Sequence, residues 1–157
     1  MKKGMVSAFS ILAGGLAGAG IVGMISGEQV GKMHKASDKH LALYLMMNQW
    51  VRVKQDGKNL VSYFDKHGYR RIAIYGMSYA GKTLIRELHN SDIEIVCGID
   101  QREGMDAEIE MVAMDEIQQD IDVIVVTAIT FFDEIKENLM QKVSCPVISL
   151  EDILYEI

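Results

Sequence analysis

Cysteine and proline are scarce in this chain, which has two cysteines and one proline among its 157 residues. Cys97 lies in an apolar run, and Cys145 directly precedes Pro146. Neither cysteine has the spacing of a metal site, and the four histidines form no ligand pattern either. Two isolated thiols argue against a disulfide framework and favour a reducing compartment. We therefore expect no metal site and no structural disulfide.

Positive charge is scarce as well, because 16 Lys and Arg residues stand against 22 Asp and Glu residues. The net charge of −6 lacks the basic footprint of a nucleic-acid-binding domain, so DNA and RNA are not expected as partners. The hydrophobic share of 49% and the length are typical of one globular domain with an appendage.

Charge is absent altogether from residues 5–27. This segment is longer than the ~20 residues with which an α-helix crosses a bilayer. Small residues four apart let two membrane helices approach closely. The segment has two such pairs, Gly14 with Gly18 and Gly23 with Gly27. We predict an uncleaved membrane anchor at residues 1–28 and a domain on the cytoplasmic side of the membrane. A homo-oligomer is among the assemblies that we expect this chain to form. A cleaved secretory signal is the competing interpretation.

The rest of the chain divides into a helical neck, residues 29–68, and a domain, residues 69–157. In the neck, Ser37 is expected to cap a helix that runs as far as Gln55. A second short helix is expected over Asn59–His67. We expect both helices to pack on the chain's own sheet.

Strands and helices alternate in the domain. Apolar runs predict strands at 70–75, 93–99, 109–113, 122–127 and 147–150. Helical patterns lie at 81–89, 115–119, 131–142 and 151–156. Such alternation is typical of a parallel sheet with helices on both faces. We therefore predict an α/β domain with a Rossmann-like doubly wound parallel sheet of about five strands.

The first predicted strand runs into the turn Gly76-Met77-Ser78-Tyr79-Ala80-Gly81. The turn approximates the dinucleotide fingerprint G-x-G-x-x-G, in which the first glycine makes the tight turn and the third lets the helix pack on the strand. Ser78 replaces the second glycine, which adds a hydroxyl donor but narrows the space for a pyrophosphate. The pattern predicts a site for a nucleotide-type ligand, NAD(P) or a nucleotide-sugar.

Asp100 follows the second predicted strand, where an acidic residue accepts hydrogen bonds from ribose hydroxyls in dinucleotide-binding domains. We include Asp100 in the predicted site on this ground. The alternative is a solvated carboxylate that starts a turn at the end of a strand.

The same glycine turn also satisfies the P-loop pattern, because Gly76 is followed after four residues by Gly81, Lys82 and Thr83. In that interpretation the lysine binds the β- and γ-phosphates and the threonine holds Mg²⁺. The strand at 122–127 offers no acidic residue at its end to organise the metal. A small P-loop NTPase or phosphotransferase is our second hypothesis, and a structural module with a vestigial site is the third.

Two stretches resemble a group of small bacterial NAD(P)-binding Rossmann-like domains that accompany enzymes of polysaccharide and nucleotide-sugar biosynthesis. They are the run from Trp50 to Ile99, with IAIYG and CGID, and the closing DVIVVTAIT…CPVISLEDIL. The resemblance implies an accessory or sensing module with a polysaccharide-biosynthesis enzyme as partner. It also implies a phosphate site at Gly76, Ser78 and Gly81, a ribose contact at Asp100, and a crevice edged by Thr127 and Ala128.

No catalytic set accompanies the turn. No tyrosine has a lysine four residues later, as the Tyr-x-x-x-Lys pair of a short-chain reductase requires, and no Ser-His-Asp or Cys-His constellation can be placed. We therefore leave catalytic residues unassigned and predict a membrane-anchored binding module rather than an independent enzyme.

Overall fold

A computed structural model describes residues 36–100, 109–117 and 120–157. The chain divides into two compact units, Met1–Leu41 and Ala42–Ile157. The predicted anchor, residues 1–28, lies outside the described residues and stays a prediction. Within the described ranges, no helix has both the length and the apolar character needed to span a membrane.

The described residues form an alternating series of strands and helices. The strands are β1 (Arg71–Tyr75), β2 (Glu94–Ile99), β3 (Met111–Val112), β4 (Val123–Val126) and β5 (Val147–Ser149). The helices are α1 (residues 36–55), α2 (Val61–His67), α3 (Tyr79–Leu88), α4 (Phe132–Met140) and α5 (Leu150–Glu156). Short 3₁₀ turns lie at Met114–Glu116 and Ile129–Phe131.

Two predicted helix starts are wrong. Ser37 does not cap α1, because residue 36 is already helical. α3 begins at Tyr79 and not at Gly81, since Ser78 has the extended backbone of an N-cap and its carbonyl oxygen accepts from the Lys82 amide at 3.0 Å. The loop after β1 is therefore only three residues long, and Gly81 belongs to the helix.

All the strand pairings in the sheet are parallel, and the strand order is β3-β2-β1-β4-β5. Tyr75 at the end of β1 aligns with Ile99 of β2 on one side and with Val126 of β4 on the other. The carboxyl ends of these three strands therefore meet at one edge. The predicted α/β class with a parallel sheet of five strands is confirmed.

Both faces of the sheet are covered. Side chains alternate between the faces along a strand. Ile72 and Ile74 belong to a core cluster with residues of α1, α2, α3 and α5, whereas Ala73 and Tyr75 belong to a second cluster with residues of α4. Helices α3 and α4 lie on opposite faces because the crossovers they form run in opposite directions across the sheet and keep one hand.

The helices of the predicted neck pack on the sheet from Ala42 onward, within the same compact unit. Met46 and Trp50 of α1 and Phe64 of α2 are almost completely buried in the cluster that also contains Ile72 of β1. The expectation that these helices pack on the chain's own sheet is confirmed.

Glu87 of α3 joins three helical segments through one nearly buried carboxylate. It accepts hydrogen bonds from the Trp50 indole N–H at 2.7 Å, from the Lys54 ammonium at 3.0 Å and from the Leu60 amide at 3.0 Å. Its side chain is only 9% exposed. Because buried donors that lose their acceptor are costly, this residue fixes α1 and the start of α2 against α3.

We expect Glu87→Gln to lower the free energy of unfolding by about 3 kcal/mol. The NH₂ group of the glutamine amide would face a buried N–H donor at a place where a carboxylate oxygen now accepts a hydrogen bond. Glu94→Gln is the matched control, since Glu94 forms an exposed ion pair with Arg71 and should change stability by less than ~1 kcal/mol. Urea unfolding followed by circular dichroism measures both. Equal losses in the two variants would contradict this assignment.

Asp122 ties the start of β1 to β4. Its carboxylate accepts from the amides of Arg70 at 2.7 Å and Arg71 at 2.8 Å. These two backbone hydrogen bonds hold the pKa of the carboxyl below its usual range. The ionised form is thus the one that the folded state favours.

The stability that Asp122 contributes should depend on pH. Because the folded pKa is lowered, the contribution is present above the unfolded pKa of ~3.9 and is lost as the pH falls through the folded pKa. We expect Asp122→Asn to be less stable than wild type by about 1 kcal/mol near neutral pH, since the carboxylate is partly exposed to solvent. Urea unfolding from pH 7 to pH 2 should show this difference shrinking. A difference that is constant with pH would refute the proposed role.

Candidate functional site

The glycine turn leaves β1 at the centre of the carboxyl edge. The Gly76 amide donates to the Ile99 carbonyl oxygen of β2 at 2.9 Å, and the Thr127 amide after β4 donates to the Tyr75 carbonyl oxygen at 2.9 Å. The sheet's hydrogen bonding therefore extends into the turn on both sides. The turn stands where ligands bind in open parallel sheets, outside the carboxyl ends of neighbouring strands.

Gly76 makes the turn as the first glycine of the fingerprint is expected to do. Its φ of +93° lies in the region that other residues rarely adopt, and a Cβ at this position would lie 2.9 Å from the Thr127 hydroxyl oxygen. That hydroxyl donates to the Gly76 carbonyl oxygen at 2.5 Å and is almost fully buried. Thr127 thus fastens the turn to β4, and half-buried Ala128 lies beside it.

Gly81 makes the close contact between helix and strand. A Cβ on this residue would approach the Gly76 carbonyl oxygen more closely than the 3.0 Å that real Cβ atoms keep. The obstacle is backbone, so no rotamer change relieves it. Because Gly81 has no side chain, α3 can lie close to the end of β1. This is the role of the third glycine in the fingerprint.

Met77 points inward and supports the turn from below. Its side chain is 1% exposed. A Cβ on Gly98 would lie 3.1 Å from the Met77 sulfur and 2.6 Å from the Met111 sulfur, so the absence of a side chain at Gly98 makes room for both methionines. Gly98 was not among the predicted site residues, although a glycine next to the last residue of a buried strand signals a close approach.

Asp100 lies beside the turn, at the end of β2. Its carboxylate accepts a hydrogen bond from the Met77 amide at 3.0 Å. The predicted site acid is therefore brought next to the glycines, and it orients the turn directly. Asp100 is half-buried, and a ribose contact stays a prediction.

Ser78 and Tyr79 form the exposed rim of the turn, whereas Ala80 is buried beneath it. The Ser78 side chain makes no capping hydrogen bond, so its hydroxyl is not used by the helix. The Tyr79 ring is 91% exposed. The first amides of α3 have no partner inside the helix and carry its positive dipole end, so this rim offers donors to an anion.

The residues of the P-loop pattern take other positions. Lys82 and Thr83 lie within α3, and the Thr83 hydroxyl donates to the Tyr79 carbonyl oxygen at 2.8 Å. A P-loop instead wraps a longer glycine-rich loop around the phosphates before its helix begins. The three-residue turn observed here does not form that cradle.

A concavity lies at the opposite edge of the sheet, before β4 and β5. It is a cleft of about 210 Å³ lined by Ile117, Asp120, Ile121, Lys142, Val143, Ser144 and Cys145. This volume is below the ~300–1,000 Å³ typical of ligand sites. Burial raises the pKa of the Cys145 thiol, so the thiol is protonated at neutral pH and is a poor nucleophile.

Cys97 lies in β2, close to the turn. Burial, with a smaller effect of Glu110, raises the pKa of Cys97 to about 11, which makes it an inert core thiol. Among residues 36–100, 109–117 and 120–157, no three His, Cys, Asp or Glu side chains are grouped so as to hold a metal ion.

Residues 68–146, half of the chain, match the model of a family described as C2185-like, N-terminal. The matched stretch contains the glycine turn, Asp100 and Thr127. No curated protein and no solved structure matches the chain.

Gly81→Ala tests the close contact between α3 and β1. In an unobstructed helix interior this change stabilises by about 1 kcal/mol, because alanine has the higher helix propensity. Here we expect a loss of about 2 kcal/mol, since the new Cβ meets the Gly76 carbonyl group. The control is Gly68→Ala, where φ is +72° but no atom lies within 4 Å, so the expected loss is about 1 kcal/mol. A Gly81→Ala protein as stable as wild type in urea would contradict the packing described above.

Proposed function

The chain belongs to the C2185-like, N-terminal family, and we propose that its α/β domain binds a ligand of nucleotide type, NAD(P) or a nucleotide-sugar, at the glycine turn. The observation that carries this proposal is the three-residue turn from β1 into α3, closed by the contact of Gly81 with Gly76. Such a turn presents helix N-terminal amides to a phosphate at the carboxyl edge of the sheet.

The strand order supports a Rossmann-like interpretation of the domain. The order β3-β2-β1-β4-β5 is that of dinucleotide-binding sheets, which bind their ligands where successive crossovers leave in opposite directions. In this chain that point lies between β1 and β4, where the glycine turn and Thr127 are in contact. The ligand would lie across this point.

The individual groups of the rim suit different parts of such a ligand. We assign the diphosphate to the amides at the start of α3 and to the Ser78 hydroxyl, because the Met77 amide already donates to Asp100. Asp100 would accept from ribose hydroxyls beside the turn. Its negative charge would repel a ribose 2′-phosphate, so NAD and nucleotide-sugars should bind more tightly than NADP. The exposed Tyr79 ring would contact the non-phosphate part of the ligand.

The cellular role that we propose is that of a membrane-anchored accessory or sensing module in surface-polysaccharide biosynthesis. The charge-free segment at residues 5–27 supports the anchor, with the domain on the cytoplasmic side. The sequence resemblance described above supports the biosynthetic context and a biosynthetic enzyme as partner. A module of this kind would report the supply of its ligand without converting it.

A ligand panel tests the proposal. The full chain in mild detergent is titrated with NAD⁺, NADP⁺, a UDP-sugar, and ATP with Mg²⁺, and its thermal unfolding is recorded. A ligand at 100 times its Kd adds ~2.7 kcal/mol of stability, which raises the Tm of a domain of this size by roughly 5–10 °C. We expect that shift with NAD⁺ or the UDP-sugar. No shift with any ligand would favour the structural module.

Two variants identify the site and separate the hypotheses. Ser78→Asp keeps a good N-cap but places a carboxylate at the phosphate position, so binding should weaken roughly tenfold or more while the fold persists. Ser62→Asp, at an exposed position in α2, is the control for added charge and should bind normally. Lys82→Ala should also bind normally. Loss of Mg²⁺-dependent ATP binding in Lys82→Ala would instead establish the P-loop function.

A further inference from the structure

Helix α1 is apolar on two opposite sides. Residues 41–51 contain no charged side chain. One side buries Met46, Trp50 and Val53 in the core of the domain. The other side carries an exposed stripe of three large side chains, Tyr44 (65% exposed), Met47 (37%) and Val51 (50%), and exposed Leu45 lies at its margin.

The stripe has the geometry of a helix-packing surface. Tyr44, Met47 and Val51 follow each other at intervals of three and four residues, and Asn48 lies four residues after Tyr44 and three before Val51, so these side chains share one side of the helix. The exposed large apolar side chains beyond α1 lie singly on other elements, for example Met140 on α4 and Tyr155 on α5. Because α1 is apolar on this side as well as on its core side, we take the stripe as a candidate packing face.

We propose that the stripe is covered by the same stripe of a second copy of this chain, with the two α1 helices packed in parallel. Asn48 lies in the middle of the stripe and is half-buried. Its amide is both donor and acceptor, so it can pair with its own copy across a two-fold axis, and a single asparagine in an apolar seam specifies register in parallel helix pairs.

The sequence before α1 favours a second copy over an unrelated partner. The paired glycines at positions 14 and 18 and at 23 and 27 have the spacing with which membrane helices self-associate. Two chains that associate through this segment would hold their α1 helices at a high effective concentration. The stripe alone offers only a few hundred Å², less than the ~800 Å² per partner of a stable interface. Its contribution should therefore depend on the preceding segment, and the full chain is the form to test.

Disulfide cross-linking tests directly whether the α1 helices of two chains are in contact. The Cys145→Ser substitution removes the half-buried thiol, and Cys97 is buried. Asn48→Cys in this background then places a single accessible thiol on the stripe. A parallel pair brings the two Cα atoms within the ~7 Å that a disulfide requires. We expect the full chain in mild detergent to form a covalent dimer on mild oxidation. Met140→Cys in the same background, on an exposed apolar position of α4, should stay monomeric on a denaturing gel.

A charge in the stripe should abolish the contact without unfolding the domain. Adding Val51→Glu to the Asn48→Cys protein should slow dimer formation roughly tenfold or more, because the interface would bury an unpaired charge. Adding Met140→Glu should leave the rate unchanged. Unaltered thermal unfolding in both proteins shows that the core is intact.

Three results would overturn the proposal. The first is an Asn48→Cys chain that forms no covalent dimer. The second is a cross-linking rate that Val51→Glu does not change. The third is a wild-type chain that is monomeric by light scattering, together with a Val51→Glu variant that binds anionic lipid vesicles more weakly than wild type. The stripe would then be a membrane-binding surface.

Discussion

The contact of Gly81 with the carbonyl group of Gly76 is the constraint on which the carboxyl edge of the sheet depends. It sets the distance between α3 and β1, and the distance sets the length of the loop between them. With three residues to make the turn, Gly76 must adopt a positive φ and Met77 must point inward. Ser78 and Tyr79 are then left on the rim, with the first amides of the helix beside them.

The strands were predictable because burial on both faces leaves a simple signal. β4 is a continuous apolar run, β1 and β2 are apolar after one charged first residue, and the bounds of each were expected within two residues of those observed. The start of α3 was not predictable in the same way. One sequence, Gly76 to Thr83, satisfies two motifs that place the same residues in different backbone conformations, and spacing alone does not say where the helix begins.

The hydrogen bonds that side chains make within the site and beneath it could not be predicted from the sequence, for a different reason. Glu87 occupies a helix position that a pattern assigns to solvent, yet its carboxylate is enclosed by Trp50 and Leu60 from elements far away in the chain. Asp100 was expected at the edge of the site, but its bond to the Met77 amide depends on the turn of another strand. Such links follow from tertiary packing, which a single sequence does not encode locally.

If the glycine turn binds the ligand that we propose, the charges around it favour a diphosphate over a triphosphate. Residues 76–82 contain one basic side chain, Lys82, which lies within α3, while Asp100 adds a negative charge next to the turn in a chain of net charge −6. Backbone amides and one hydroxyl would therefore supply most of the attraction for the proposed anion. The helix end provides roughly half a unit of positive charge, which suits the two charges of NAD or a nucleotide-sugar better than the four of ATP. A triphosphate would need the lysine and metal of a P-loop, and the short turn sets Lys82 and Thr83 inside the helix where that cradle does not form.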